Sequence, residues 1–148
     1  MTQSRNATLT VTAGPNRGDT VRIEFESCRL VGRHLSDNET VFLDRDGNRG
    51  LDDQTIDLIS EHLESFSEKE DTPPPIVDAF QRGADIILAD NSISRAHAMV
   101  FFDHLGLGVI DLASTNGTLV NAERISSARL SGGDVLALGE SALTISIS

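Results

Sequence analysis

Residues 85–120 read DIILADNSISRAHAMVFFDHLGLGVIDLASTNGTLV. Four short apolar runs stand in this stretch: Asp85-Ile86-Ile87-Leu88, Ala98-Met99-Val100-Phe101-Phe102, Leu107-Gly108-Val109-Ile110 and Thr118-Leu119-Val120. Between them lie clusters of Gly, Asn, Asp and Ser, residues that turn a chain rather than extend it. Short apolar runs punctuated in this way predict strands joined by tight connections. The same grammar continues outward. Toward the N-terminus, Leu9 and Val11 are separated by threonines, and Val21, Ile23 and Phe25 alternate with Arg22 and Glu24 in the period of two of a half-buried strand. Gly14-Pro15-Asn16-Arg17-Gly18 turns between them, and Arg29-Leu30-Val31 adds another strand. Toward the C-terminus follow Val135-Leu136-Ala137-Leu138 and then Leu143, Ile145 and Ile147. Many short strands with such turns predict an all-β sandwich or barrel.

Residues 34–84 break the pattern. Ile56, Ile59, Leu63 and Phe66 recur at three- and four-residue spacing, with Asp57, Glu61 and Glu64 directed elsewhere, which predicts an amphipathic helix. Asp52 or Asp53 can cap its start and favour the positive end of its dipole. Asp71-Thr72-Pro73-Pro74-Pro75 ends it in a stiff extended stretch. A second short helix is expected over Val77–Arg82, and the apolar stripe of the first is expected to pack on its own domain.

Charge sorts the same way. The chain of 148 residues carries a formal charge of −11, and residues 34–84 hold 13 acids against 4 bases. The flanks are therefore close to neutral, so an anion site on them remains open, because screening confines each charge to about 8–10 Å. The overall balance disfavours nucleic acid and anionic membrane surfaces, both of which need clustered basic side chains. One cysteine cannot staple the fold, and no Cys/His set stands at zinc spacing. Asp44-Arg45-Asp46-Gly47-Asn48-Arg49-Gly50 invites a calcium reading, but Arg49 stands where the loop glycine belongs and Thr55 where the bidentate glutamate belongs. No metal and no cofactor are expected. No apolar run approaches the roughly 18 residues of a membrane helix, and the N-terminus lacks an apolar signal core, so a soluble cytoplasmic protein is expected.

Three polar clusters sit at strand ends: Gly32-Arg33, Ser94-Arg95-Ala96-His97 and Ser114-Thr115-Asn116-Gly117-Thr118. Loops at one end of a sandwich converge, so residues far apart in sequence can share one site. Together the clusters offer a guanidinium, hydroxyls, an amide and turn N–H groups without a carboxylate, a set equipped to hold an anion. In this order, with Thr118-Leu119-Val120-Asn121 following, they resemble the signature of the forkhead-associated (FHA) domain family. The resemblance covers roughly residues 7–33 and 84–147, including the Gly14-x-x-x-Gly18 turn and Gly132-Gly133-Asp134-Val135.

That resemblance implies a β-sandwich of about eleven strands that recognises phosphothreonine in partner proteins, such as a Ser/Thr kinase or its substrate. It also implies that Arg33, Ser94, Arg95, Thr115 and Asn116 bind the phosphopeptide. A phosphate monoester carries about −1.5 to −2 charge and three acceptor oxygens. Arg33 suits it as a bidentate donor, Ser94 by its hydroxyl and Arg95 by its backbone N–H and charge. Thr115 and Asn116 would face the phosphorylated residue and the peptide backbone. Gly32, His97, Gly117 and Asn121 read as structural support: the glycines for backbone geometry, His97 bracing its loop from beneath, Asn121 tying two loops together.

The departure from the family is an insertion, placed at about residues 39–84 between the third and fourth strands, within a single domain spanning residues 1–148 (scaffold about 7–38 and 85–147). It either occludes the site or adds a second recognition surface. An enzyme is not expected, because Ser94 and His97 lack an orienting carboxylate and Cys28 lacks basic surroundings. The alternative function is an FHA-like scaffold or oligomerisation domain acting through its insertion without phosphate.

Overall fold

Ala7, Leu9 and Val11 are buried while Thr8 and Thr10 between them are half-exposed, so the alternation in the sequence becomes the two faces of strand β1 (Asn6–Ala13). In the computed structural model, residues 6–34, 53–66, 81–103 and 106–147 are described. Among them twelve strands form two sheets packed face to face. The first sheet has the order β2-β1-β12-β11-β8-β9, with β2 (Thr20–Glu24), β8 (Thr118–Val120), β9 (Glu123–Ile125), β11 (Val135–Leu138) and β12 (Ser141–Ile147). The second runs β10-β7-β6-β3-β4, with β3 (Ser27–Arg33), β4 (Gln81–Arg82), β6 (Ala98–Asp103), β7 (Gly106–Asp111) and β10 (Ser127–Leu130). Strand β5 (Ile86–Leu88) also pairs with β3. The all-β sandwich expected from the sequence is the observed fold.

Residues 81–88 run as one interrupted edge beside β3. Both β4 and β5 are parallel to it, and the break at Gly83–Asp85 is held by Gly83 N–H donating to Cys28 O (2.8 Å) and Arg29 Nε donating to Ala84 O (2.6 Å). This corrects the helix expected over Val77–Arg82, because Gln81 and Arg82 are strand. Their backbone groups satisfy the edge of β3, and ladder pairing overrides a weak helical propensity. Residues 77–80 lie outside the described residues, as do the proline stretch at 71–75 and the acidic loop at 44–50.

The main core fills the space between the sheets, with Leu9, Ile23, Val31, Leu88, Val100, Val109, Leu136 and Leu143 among its members. A second apolar layer lies on the outer face of the second sheet: Cys28, Leu30, Met99, Phe101, Ile110 and Leu112. Helix α1 (Asp53–Phe66) covers it, with Ile59 fully buried and Leu58 packed against the cluster. The helix thus packs on its own domain. Burying a side chain the size of Ile59 contributes about 1.5–3 kcal/mol. The unbroken apolar run of β6 now has its reason: Ala98, Val100 and Phe102 face the main core, while Met99 and Phe101 face the helix layer. A strand covered on both faces has no polar face to show. Phe101 further lies across Gly108, where a Cβ would collide with its ring, and Arg129 stands over it at 5.3 Å. No helix among the described residues is long and apolar enough to cross a membrane.

Candidate functional site

The end of the sandwich where β3, β6 and β8 meet their loops is tied together by hydrogen bonds between distant residues. Arg33 closes β3, and its backbone N–H donates to Ser94 O at 3.1 Å. The Ser94 hydroxyl oxygen accepts the Thr115 N–H at 3.1 Å, and the Asn116 amide donates to Ser92 O at 2.8 Å. The three clusters singled out in the sequence are thus brought to one place, each reaching the next through a backbone group. Thr115, Asn116 and Arg95 are exposed, Arg33 and Ser94 half-exposed. The Arg33 guanidinium donates through Nη1 to His34 O at 3.1 Å.

Beneath this rim, His97 is fully buried. Its Nδ1 accepts the Ser94 N–H at 3.1 Å and its Nε2–H donates to Gly117 O at 2.9 Å, an assignment that makes the ring the neutral Nε2–H tautomer. Burial pushes its pKa below the ordinary 6.5, outweighing the Gly117 hydrogen bond and the charges of Asp111 and Asp90 that act to raise it. Both ring nitrogens are engaged on backbone groups, so the imidazole braces two loops and does not act on the Ser94 hydroxyl. Gly117 adopts φ +86°, a left-handed conformation that disfavours a side chain. Gly32 differs: it is a buried residue of extended strand β3.

Two carboxylates that the sequence reading passed over frame the loops. Asp90, 2 % exposed, accepts at Oδ1 from Ser92 N (2.9 Å) and Ser92 Oγ (2.5 Å). At Oδ2 it accepts from Glu140 N (2.9 Å) and Ser141 Oγ (2.8 Å), so one side chain joins the loop after β5 to the turn between β11 and β12. Burial acts to raise its pKa, but the donors from Ser92, Ser141 and Glu140 prevail and hold it below the ordinary 3.8. Asp111 does the same for the third cluster, its Oδ1 accepting from Ser114 Oγ (2.5 Å) and Thr118 Oγ1 (2.7 Å). Ser114 Oγ in turn accepts the Gly117 N–H at 3.0 Å. Asp90-x-Ser92 carries a local trace of its role, since an Asp accepting from the N–H two residues on is a known turn device. Its link to residues 140 and 141 has none.

Asn121, with φ +51°, donates to Asp134 Oδ1 and accepts from Val135 N, both at 3.0 Å, and so joins the β8–β9 hairpin to the entry of β11. Asn16 in the β1–β2 turn accepts the Ala89 N–H at 2.7 Å, docking that turn beside β5. Among the described residues no cluster of His, Cys, Asp and Glu is grouped to hold a metal ion.

The fold is an all-β sandwich that presents hydroxyls, an amide and the end of an arginine-bearing strand on hydrogen-bonded loops at one end. Residues 81–139 match the family model described as FHA domain. A stretch of 57 residues, 38 % of this chain and 35 % of the relative, is 40 % identical to the glycogen accumulation regulator GarA of Mycobacterium tuberculosis. The match thus spans about a third of that curated relative's length. The fold is similar to the FHA domain of an Arabidopsis thaliana hypothetical protein, with TM-score 0.61, 22 % identity and coverage of 99 % of this chain and 91 % of that one. It is also similar to Mycobacterium tuberculosis EmbR, solved in complex with a low affinity phosphopeptide, with TM-score 0.54, 21 % identity and coverage of 97 % of this chain and 24 % of that one. Over residues 81–139 the chain is thus similar to an FHA domain, and its sandwich has the fold of a solved FHA domain. FHA domains are non-enzymatic interaction modules.

Proposed function

We propose that the protein is a phosphothreonine-dependent protein–protein interaction module that binds phosphorylated segments of signalling partners, a Ser/Thr kinase or its substrate, through Arg33, Ser94, Arg95, Thr115 and Asn116. The observation that carries the reading is the state of the Ser94 hydroxyl. Its oxygen accepts the Thr115 N–H, and among the described residues its proton has no acceptor, so it is available to a ligand oxygen. A phosphate oxygen is such an acceptor, and Arg33, hydrogen-bonded through its backbone to Ser94 O, lies on the neighbouring strand end to supply charge. Arg95 adds a second cationic side chain at the exposed turn, and Asn116, anchored to Ser92 O, keeps its carbonyl oxygen for a peptide N–H. The EmbR relative with its phosphopeptide supports the same reading. Binding rather than catalysis is the favoured mode, since the His97 nitrogens are committed to Ser94 N–H and Gly117 O and His97 is thereby not a general base for the Ser94 hydroxyl. Helix α1 spends Ile59 on its own sheet, which weighs against a scaffold working through that apolar stripe.

The test is binding of an oriented phosphothreonine peptide library to the full chain and to Arg33→Ala, with nonphosphorylated peptides alongside. Charge-assisted hydrogen bonds contribute about 1.5–3 kcal/mol each, so losing a bidentate pair should weaken binding about 100-fold or more. Equal binding of phosphorylated and nonphosphorylated peptides, or an unchanged affinity in Arg33→Ala, refutes the proposal.

A further inference from the structure

Arg124 was not among the residues the motifs point to, yet it lies against the rim. It sits on β9, an edge of the first sheet, paired with Leu119 of β8. Cross-strand partners share a face, so the Arg124 side chain starts beside Leu119 and is free to lean along the strand either way. It leans toward the recognition end. A Cβ built on Gly117 would meet Arg124 Nε at 2.7 Å, Cζ at 3.0 Å and Cδ at 3.3 Å, so the guanidinium lies over the bare Gly117 backbone. Gly117 directly follows Thr115 and Asn116, both exposed.

Arg124 is exposed, and among the described residues its side chain makes no hydrogen bond or ion pair. That is unusual company for an arginine in a chain of 23 acids and 12 bases. Arg129, by contrast, is bound to Asp103 at 2.8 and 3.1 Å, and Arg29 to the Ala84 and Arg22 carbonyls. A planar guanidinium held beside a peptide-binding rim and unspent on the protein's own acids is suited to a carboxylate brought by the ligand.

Building on the phosphothreonine reading above, we propose that Arg124 is a specificity-determining residue that pairs with an acidic side chain of the bound peptide. The acid stands on the Asn116 side of the phosphothreonine, because Arg124 lies over Gly117, next in sequence to Asn116. The field of a chain with charge −11 repels an acidic flank. A preference for acid at a single position therefore reports a local partner rather than the overall field.

The experiment uses the full chain and a phosphothreonine peptide in which each flanking position is changed in turn from Ala to Asp, with affinity read by fluorescence anisotropy at fixed salt. Wild type should show one position where Asp binds about three- to fivefold tighter than Ala, the range of an exposed pair with good geometry. Arg124→Gln should bring that Asp/Ala ratio to about one. Arg22→Gln, on the opposite edge strand of the same sheet, removes the same charge and should keep the ratio. No acid preference at any position, a preference that survives Arg124→Gln, or one lost equally in Arg22→Gln overturns this inference and leaves phosphothreonine recognition standing. A wild type that fails to distinguish phosphorylated from nonphosphorylated peptide overturns the functional reading and this inference with it.

Discussion

Replacing Asp90 by Asn removes one acceptor oxygen from a buried carboxylate that receives four hydrogen bonds. If the new amide nitrogen takes the place of Oδ2, it faces the Glu140 N–H, a donor opposite a donor. The Ser141 hydroxyl can rotate to accept, and Glu140 N–H keeps its second acceptor, Ser92 Oγ at 2.9 Å. If the nitrogen takes the place of Oδ1 instead, Ser92 N–H loses its acceptor. The gentler arrangement still forfeits one hydrogen bond to a charged group, about 1.5–3 kcal/mol, and weakens the others from charge-assisted to neutral. Relief of the buried charge offsets part of this. The expected loss is about 2–3 kcal/mol, which urea unfolding at pH 7 should read as a midpoint lowered by about 1 M or more at unchanged slope. Because the Asp90 pKa is held below 3.8, its contribution is present above that pH and lost as pH falls through the folded value. The gap between wild type and Asp90→Asn should therefore close in strong acid. Phosphopeptide affinity should also fall several-fold, since Ser92 carries Asn116. A change under about 0.5 kcal/mol at pH 7 would falsify the claim that this carboxylate clamps the two turns.

The depressed pKa of His97 has its own signature: the unfolded chain takes up a proton near pH 6.5 that the folded ring refuses, so stability should be full above that pH and decline as pH drops below it. Urea midpoints from pH 7.5 to 5 test this, and a flat profile in wild type speaks against a neutral buried imidazole. Ile59→Ala should cost about 2–4 kcal/mol and speed proteolysis within α1, read by limited digestion; an unaltered digestion rate contradicts the helix's place on the second sheet. Asn121→Ala loses two hydrogen bonds and a residue suited to φ +51°, with an expected cost of about 1–2 kcal/mol by thermal melting, and a variant as stable as wild type removes Asn121 from the frame.

Period-two alternation made β1, β2 and β12 legible, and turn chemistry placed β6, β7, β8 and β11. Strands β9 and β10 escaped because Glu123-Arg124-Ile125 and Ser127-Ala128-Arg129-Leu130 are polar edge segments whose pairing comes from neighbours rather than from a pattern of their own. The five-residue apolar run of β6 held more than a strand assignment: unbroken apolarity meant two covered faces, and the helix at Ile59 was the missing cover. Leu58 falls outside the 56, 59, 63, 66 stripe yet packs on the sheet, since a helix lying on a broad apolar surface buries a wider arc than a narrow seam. In the site, Arg33, Ser94 and Asn116 were visible because their loops carry short motifs. Asp90 was not, because its local Asp-x-Ser turn is common and its bond to the Glu140 N–H 50 residues away leaves no mark in the sequence.

The helix lying on the second sheet changes what a shortened form of this protein would be. Excising the segment between Arg33 and Gln81 to reach a minimal domain would uncover Leu30, Met99, Phe101, Ile110 and Leu112 at a stroke. Such an oily plane invites self-association. Any trimmed version would then need polar replacements on those five positions before its binding behaviour could be compared with the parent.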